Sequence, residues 1–239
     1  MALERLLIDL KAGVGADGDE MQHIARYKFA APLIKGSAVL DIACGVGYGS
    51  SILAEAGASK VLGMDISEDA VAHARKHYGA PNVEFRVGSA TKLHELGEIF
   101  KYVCSFETIE HLDAPRKLLE GIVTVMDPDG ACFLSTPNRT HGTIEDKPGN
   151  QFHVIEWRAD EFRGLLSGYF KEVKLYGQNF HLRAGRLPGS RTVRRALVPL
   201  LAPGVKLNPH EIRSCDSAND SILAFDPEFV VAVCRRPIP

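Results

Sequence analysis

Two carboxylates and an imidazole lie within five residues of one another, at Glu107, Glu110 and His111. If this segment is helical, the i, i+3 and i+4 spacing places all three side chains on one face. Such a set could bind a divalent cation that orients a hydroxylated ligand. His111, and His153 on a later polar segment, are also candidate bases that can titrate near neutral pH. Each histidine has an ordinary alternative, as a packing or surface residue.

A glycine-rich turn after a short apolar strand forms a second candidate site. Residues 37–50 read Ser-Ala-Val-Leu-Asp-Ile-Ala-Cys-Gly-Val-Gly-Tyr-Gly-Ser. We call residues 43–49 the glycine turn; its glycines are Gly45, Gly47 and Gly49. Glycine tolerates positive φ and close backbone approach, and a helix that begins near Tyr48 directs unpaired N–H groups at the space above it. The turn is therefore expected to bind an anionic or strongly polar ligand group.

The next apolar strand, residues 60–65, ends in a second carboxylate. Asp65 lies 20 residues beyond Gly45, the distance at which a doubly wound sheet places an acid against ribose hydroxyls. The turn has the spacing G-x-G-x-G rather than the dinucleotide pattern G-x-G-x-x-G, and Asp41 precedes it. An acid at that strand end would repel a pyrophosphate but can accept from an ammonium or a ribose. A ribose ligand other than a dinucleotide is indicated.

These motifs resemble those of class I S-adenosylmethionine-dependent methyltransferases. Residues 83–90 match the end of the family's third strand, residues 102–112 its fourth strand and following loop, and residues 134–138 the exit of its fifth strand. The resemblance covers residues 20–180 and the last ten. It implies an α/β, Rossmann-like, doubly wound sheet of seven strands in the order 3-2-1-4-5-7-6, mostly parallel, with a reversed last strand at residues 228–234.

The same resemblance implies S-adenosylmethionine as the cofactor. Arg26 would pair with the methionyl carboxylate and Tyr27 would cover the sulfonium, although a solvated helix face is an equal alternative. Ser89 stands where many relatives have an Asp for the adenine amino group. A divalent metal at the Glu-x-x-Glu-His pattern is plausible in quinone-type relatives. The full set assigned to the cofactor is Arg26, Tyr27, Asp41, Ala43, Gly45, Gly47, Tyr48, Asp65, Ile66, Ser89, Ala90 and Phe106.

Alternating apolar segments predict a parallel sheet with helices on both faces. Strands are expected near residues 38–42, 60–65, 82–87, 101–106 and 131–136, and helices near 48–56, 67–78 and 114–126. With 45% hydrophobic residues, the 239-residue chain predicts a single domain over 1–239, and the resemblance implies that this is a methyltransferase domain. By the resemblance to similar enzymes, an N-terminal helix at 20–33 would lie over the cofactor site, and a segment at 181–221 would be inserted between the last strands.

The formal net charge of −2 gives no reason to expect nucleic-acid binding. Five cysteines without C-x-x-C spacing predict reduced, mostly buried thiols. The sequence shows no signal-peptide pattern and no apolar run of about 18 residues. We therefore expect no membrane span and a cytoplasmic location.

The inserted segment is rich in arginine, namely Arg183, Arg186, Arg191, Arg194 and Arg195. One interpretation is a solvated helix face or an oligomer contact. The other is recognition of a phosphate-bearing acceptor, because guanidinium groups match phosphate oxygens.

The resemblance implies methyl transfer to a small-molecule acceptor. Bacterial polysaccharide-associated enzymes share the Asp-Ile-Ala-Cys-Gly turn and the Ser-Thr-Pro-Asn exit, which favours a hydroxyl of a sugar or sugar-containing metabolite. A quinone or phenol O-methyltransferase is the nearest alternative. Two other classes stay open: an NAD-dependent oxidoreductase, which the position of Asp41 disfavours, and a protein that binds S-adenosylmethionine without turnover.

Overall fold

The computed structural model describes residues 18–140, 142–182, 211–215 and 225–238. Its helices are α1 Gly18–Ala30, α2 Tyr48–Glu55, α3 Glu68–Tyr78, α4 Pro115–Val125 and α5 Ala159–Ser167. Its strands are β1 Ala38–Ile42, β2 Lys60–Asp65, β3 Val83–Val87, β4 Phe100–Phe106, β5 Met126–Pro137, β6 Phe170–Leu182, β7 Ile212–Ser214 and β8 Phe225–Pro237. Short 3₁₀ turns cover Ala31–Leu33, Leu93–Leu96 and Ile109–His111.

All eight strands belong to one sheet, in the order β3-β2-β1-β4-β5-β8-β6-β7. The pairs from β3 to β5 are parallel, whereas β8 pairs antiparallel with both β5 and β6. The carboxyl ends of β1, β2, β4 and β5 therefore meet at one edge, where open α/β sheets bind their ligands. This confirms the Rossmann-like sheet and the reversed strand inserted beside β5.

Helices pack on both faces of the sheet, so its central strands are buried between two apolar layers. Val39 and Cys104 face the layer made by α1, α2 and α3, whereas Leu40 and Val103 face α4 and α5. Alternate residues of each strand thus anchor opposite helical layers, as period-2 geometry requires. Each layer holds its helices against the sheet, so that the loops at the carboxyl edge start from fixed points.

The sheet has one strand more than the seven expected. The extra strand, β7, pairs with β6 through Tyr176–Ser214, Gly177–Arg213 and Gln178–Ile212. It lies inside the predicted inserted segment 181–221, most of which lies outside the described residues. The five arginines singled out there are outside them too.

Strand β5 begins five residues earlier than the sequence predicts. The Asp-Pro-Asp-Gly stretch at 127–130 ends α4, as its turn composition suggests, but it lies within β5. Asp127 accepts from the Asp129 N–H at 2.8 Å and from Lys101 Nζ at 3.1 Å, and the β4–β5 register shifts between Phe100 and Tyr102. The turn residues thus form an irregularity in an extended strand.

The five cysteines all fall in described parts of the chain and none forms a disulfide; Cys215 is partly exposed and the others are buried. The expectation of mostly buried thiols is confirmed, and their reduced state stays a prediction. No helix among the described residues combines the length and apolar character needed to cross a membrane.

Candidate functional site

The glycine turn connects β1 to α2 and is fastened to the end of β2. Cys44 N–H donates to the Met64 carbonyl at 3.0 Å, and Gly45 N–H donates to Asp65 Oδ2 at 2.9 Å. The other carboxylate oxygen of Asp65 accepts from Ser67 N–H at 2.9 Å. Each oxygen keeps a further acceptor site, so Asp65 can hold the turn and still accept from a ligand hydroxyl.

Gly47 is the N-cap of α2, with φ +92°. A Cβ there would lie 2.6 Å from Ala74 Cβ and 2.9 Å from Phe85 Cζ, so both backbone conformation and packing require glycine. Gly49 is needed for a different reason. A Cβ at Gly49 would lie 2.0 Å from Cζ of Tyr27, because the tyrosine ring rests on the first turn of α2.

Tyr27 brings helix α1 onto the glycine turn. Its ring packs edge-on against Phe106 and Tyr48, at centroid distances of 4.9 and 5.8 Å. Its hydroxyl donates to Asp41 Oδ1 at 3.1 Å, and Ser50 Oγ donates to Asp41 Oδ2 at 2.6 Å. Asp41 is fully buried, so its oxygens join β1, α1 and α2. A direct contact between Asp41 and the cofactor stays a prediction.

The buried Asp41 carboxyl makes stability depend on pH. Burial raises its pKa to about 7, the charge of Asp65 adds to this, and the hydrogen bonds from Ser50 and Tyr27 act against it. In the unfolded chain the carboxyl releases its proton above the ordinary pKa of 3.8, whereas in the folded state it keeps the proton up to about pH 7. The stability that this group contributes is therefore lost as the pH rises from about 4 to about 7.

We expect Asp41→Asn to weaken this pH dependence. The amide has the shape of the carboxyl but does not titrate, so the slope of unfolding free energy against pH between 4.5 and 6.5 should become less negative by about 1.4 kcal/mol per pH unit. Urea denaturation across this range measures the slope. The slope does not vanish, since burial also raises the pKa of Glu110. Equal slopes in both proteins would contradict this account of Asp41.

Arg26 lies one residue before Tyr27 and is fully buried. Its Nε donates to Gln178 Oε1 at 2.9 Å, and its guanidinium stands 4.4 Å from the centre of the Phe229 ring. Nη1 lies 3.5 Å from Glu107 Oε1, but neither Nη atom has a hydrogen-bond partner in the described chain. A buried cation with unsatisfied donors is costly unless an anion completes it.

The other residues assigned to the cofactor line the same edge. Ile66 follows Asp65 with 61% of its surface exposed. Ser89 Oγ lies 2.9 Å from Thr91 Oγ1 and also accepts from the Thr91 N–H at 3.3 Å, so it closes a local turn after β3. Ala90 packs against the core of the α4 layer. Ala43 has the positive φ of 56° at the start of the glycine turn.

The turn after β4 and residues 142–157 after β5 form the other half of this edge, which we call the acceptor half because it is the predicted place of the methyl acceptor. His111 Nδ1 lies 3.0 Å from the Phe152 carbonyl. Since a carbonyl only accepts, Nδ1 carries the proton and Nε2 of the neutral ring keeps its lone pair. The Val154 N–H donates to the Glu110 carbonyl at 2.7 Å, which fixes the two segments together. His111 is therefore oriented with a basic nitrogen available.

His153 lies beside His111, with the ring centroids 4.9 Å apart. Its Nδ1 donates to Glu156 Oε1 at 2.6 Å, and its Nε2 lies 3.2 Å from Asn150 Nδ2. Both nitrogens are thus engaged, unlike those of His111. The sequence left the two histidines as alternative bases, and the geometry favours His111.

The helical spacing expected for Glu107, Glu110 and His111 is wrong. Glu107 has φ 50°, and only Ile109–His111 forms a 3₁₀ turn. Glu107 therefore turns away and accepts from Ser135 Oγ at 2.7 Å. The donors of Glu110, His111 and His153 instead lie within 4.8 Å of one another. This is the set among the described residues that could hold a metal ion.

Glu110 is fully buried beneath the two histidines. Neither carboxyl oxygen has a hydrogen-bond partner among the residues described. Burial raises the pKa of this carboxyl well above its usual range, and the nearby Glu107 raises it further. Burial therefore favours the protonated form of this carboxyl.

Sequence reasoning missed several residues that position the site. Arg139 holds the loop after β5, because its guanidinium donates to the carbonyls of Glu156 and Gly142 and to the Glu161 carboxylate. Glu156 fixes His153. The others are Ser50, Ser135, Gln178 and Phe229. The partners of Ser135, Gln178 and Phe229 lie 28 or more positions away, so no local pattern identifies these three. Glu156 and Ser50 have partners within nine positions, but their residue types alone do not single them out.

Residues 33–168 match the model of a methyltransferase domain. A probable S-adenosylmethionine-dependent methyltransferase of Mycolicibacterium smegmatis is 36% identical over 154 residues, which cover 64% of this chain and 59% of the relative. A ubiquinone biosynthesis O-methyltransferase of Sinorhizobium fredii is 38% identical over 109 residues, 45% of this chain and 44% of that one. The chain thus spans less than two thirds of these curated relatives.

Solved structures share the fold. An S-adenosylmethionine-dependent methyltransferase from Archaeoglobus fulgidus superposes with a TM-score of 0.61 at 19% identity, over 90% of this chain and 93% of that one. A putative methyltransferase from Bacillus halodurans gives a TM-score of 0.54 at 18% identity, over 94% of this chain and all of the other.

Proposed function

Because this chain belongs to the methyltransferase domain family, whose cofactor is S-adenosylmethionine, we propose that it transfers the cofactor's methyl group to a hydroxyl of a small molecule. The main support for this proposal is that the glycine turn, hydrogen-bonded to Asp65, lies at the same edge of the sheet as His111, whose Nδ1 is hydrogen-bonded and whose Nε2 can accept a proton. Together they supply a nucleoside site and a base at one edge of the sheet.

On the cofactor side, Asp65 would accept from the ribose hydroxyls and Ile66 would lie against the adenine. Arg26 is ion-paired with Glu107 at 3.5 Å, but its Nη atoms have no hydrogen-bond acceptor among the described residues. The methionyl carboxylate would supply those acceptors. Tyr27 would cover the sulfonium end.

On the acceptor side, the chemistry requires a hydroxyl in line with the S–CH₃ bond and a group that takes its proton. Orientation supplies most of the acceleration, and a positioned base adds about 10²- to 10⁴-fold. His111 is the proposed base because Phe152 fixes its tautomer. His153, held by Glu156, would help to orient the acceptor.

The first candidate acceptor is a sugar hydroxyl. Asn150 and His153 present amide and imidazole groups in the loop after β5, and such groups match the hydroxyls of a carbohydrate. The second candidate is a quinone-type phenol, favoured by the ubiquinone O-methyltransferases among the relatives. Val154, 48% exposed on the same loop, offers apolar surface to such a ring.

The test is a methyl-transfer assay with labelled S-adenosylmethionine against glycosides, nucleotide sugars and catechols. Transfer to a member of one class identifies the acceptor. Calorimetry with S-adenosylhomocysteine and with NAD accompanies it. Binding of NAD rather than S-adenosylhomocysteine would refute the proposal, and cofactor binding without turnover on every acceptor would support a binding protein instead.

The role of Arg26 gives a separate prediction. Arg26→Lys keeps a positive charge but loses the planar fork, so the Kd for S-adenosylmethionine should rise at least about tenfold. Decarboxylated S-adenosylmethionine, which lacks the anion, should bind both proteins with similar affinity. Isothermal titration with both ligands measures this, and an equal loss for the two ligands would assign Arg26 a structural role only.

A further inference from the structure

A row of polar residues continues the acceptor half across the carboxyl edge, from β5 to β8 and β6. The strand register places Glu228 of β8 between Asn138, which follows β5, and Asn179 of β6. The Asn138 N–H donates to the Glu228 carbonyl at 2.8 Å, and Asn179 Nδ2 donates to the Glu228 carboxylate. Asn138 Nδ2 is held by the Pro227 carbonyl at 2.8 Å. We call Asn138, Glu228 and Asn179 the Asn–Glu–Asn row.

The row lies on the face of the sheet that carries the acceptor half. Val230, two residues after Glu228, packs in the same apolar layer as Trp157. Alternate residues of a strand point to the same face, so Glu228 shares this face with Val230. Asn138 forms a bridge with Trp157, the last residue of the acceptor segment 142–157. The row therefore adjoins the segment that holds His153.

The row also adjoins the end of the site that is proposed to hold the methionyl group. Gln178 precedes Asn179 and Phe229 follows Glu228, and both of these neighbours contact Arg26. A ligand that binds the row would thus lie between the acceptor histidines and the proposed carboxylate site of Arg26. This is the region that a methyl acceptor must occupy.

The backbone of Asn179 has an unusual conformation for a residue inside a strand. Its φ is +54°, in the left-handed region, and only 7% of its surface is exposed. Such conformations persist where the surroundings fix them, and they cluster at ligand-binding sites. Glycine would adopt the same φ more readily, so the amide side chain is what asparagine adds at this position.

We propose that the Asn–Glu–Asn row binds hydroxyl groups of a carbohydrate acceptor, next to the hydroxyl that is methylated. The assignment rests on the proposed function, since it names the acceptor class of the same site. Carboxylate and amide oxygens accept from hydroxyls, and amide N–H groups donate to them, which suits a ring with several hydroxyls. A site built to hydrogen-bond hydroxyls discriminates strongly against an analogue that lacks them. The row thus favours a sugar over a quinone-type phenol.

Saturation-transfer difference NMR tests this proposal without turnover. The probes are the methyl glycosides of glucose, galactose, mannose and rhamnose, and catechol as the phenol, each with S-adenosylhomocysteine present. We expect at least one glycoside to bind the wild-type protein. Glu228→Gln keeps the shape of the side chain but loses its charge, and Asn179→Gly accepts the φ but loses the amide. Each should raise the Kd of the glycoside at least about tenfold and leave the Kd of S-adenosylhomocysteine within about twofold. Thermal melts verify that both variants are folded.

The matched control is Glu172→Gln. Glu172 lies on the same strand β6 but near its opposite end, where it pairs with Arg236 at 3.2 Å. This variant should bind the glycoside as the wild type does. Binding of catechol but of no glycoside, equal glycoside affinity in the wild type and both row variants, or the same loss in Glu172→Gln would overturn the proposal. Glycoside binding that depends on the row, in a protein that binds no S-adenosylhomocysteine, would support the row and refute the methyltransferase function alone.

Discussion

Asp65→Ala should lower the affinity for S-adenosylhomocysteine by at least about a hundredfold. The carboxylate is proposed to accept two ribose hydroxyls, and hydrogen bonds to a charged group are worth about 1.5–3 kcal/mol each. The same oxygens fasten the Gly45 and Ser67 N–H groups, so their loss also loosens the glycine turn. Isothermal titration calorimetry measures the change directly.

The control for this substitution is Asp69→Ala. Asp69 is exposed in the first turn of α3, and its replacement by Ala changes the net charge by the same amount as Asp65→Ala. Because surface charges have small effects, the Asp69→Ala variant should bind S-adenosylhomocysteine within about twofold of wild type. Asp65→Asn separates the two roles of the carboxylate. It keeps one acceptor for the turn and should show an intermediate loss. If Asp65→Ala binds within threefold of wild type, the ribose assignment is wrong.

The second large effect is expected at His111. His111→Asn places an amide nitrogen where Nδ1 stood, so the donor to the Phe152 carbonyl is kept while Nε2 is removed. With an acceptor found in the assay above, kcat should fall by about 10²- to 10⁴-fold. The affinity for S-adenosylhomocysteine should change little, since the turn and Asp65 are untouched.

Comparison with His153→Asn distinguishes the two histidines. Both nitrogens of His153 are already hydrogen-bonded, so its substitution should reduce kcat less than that of His111 and should act mainly on KM. Rapid-quench measurements of a single turnover would show whether the methyl-transfer step itself is slowed. A larger single-turnover loss in the His153 variant would transfer the role of base to that residue.

The central sheet could be predicted because its signals are local. The apolar run that ends in Asp41, the glycines that follow it and the strand that ends in Asp65 all lie within residues 38–65. Buried parallel strands are indicated by continuous apolar runs, and backbone positions with positive φ are indicated by glycines. Ser67 likewise predicts the start of α3, and it accepts from the Ala70 N–H.

The acceptor half, the surroundings of Arg26 and strand β7 could not be predicted, because they depend on distant contacts or on too few residues. Glu107 adopts a left-handed conformation that few non-glycine residues take, and its contact with Ser135 spans 28 positions. Gln178, which orients Arg26, is 152 residues away along the chain. Strand β7 has only three residues, too few for a periodic pattern.

The contacts of Arg26 with β6 and β8 join an early part of the chain to two late ones. Strands β1 to β4 emerge from the ribosome early and can form the glycine turn with Asp65 alone. Arg26 reaches its full environment only after Gln178 on β6 and Phe229 on β8 have been synthesised. The glycine turn can therefore be synthesised well before the surroundings of Arg26 are complete.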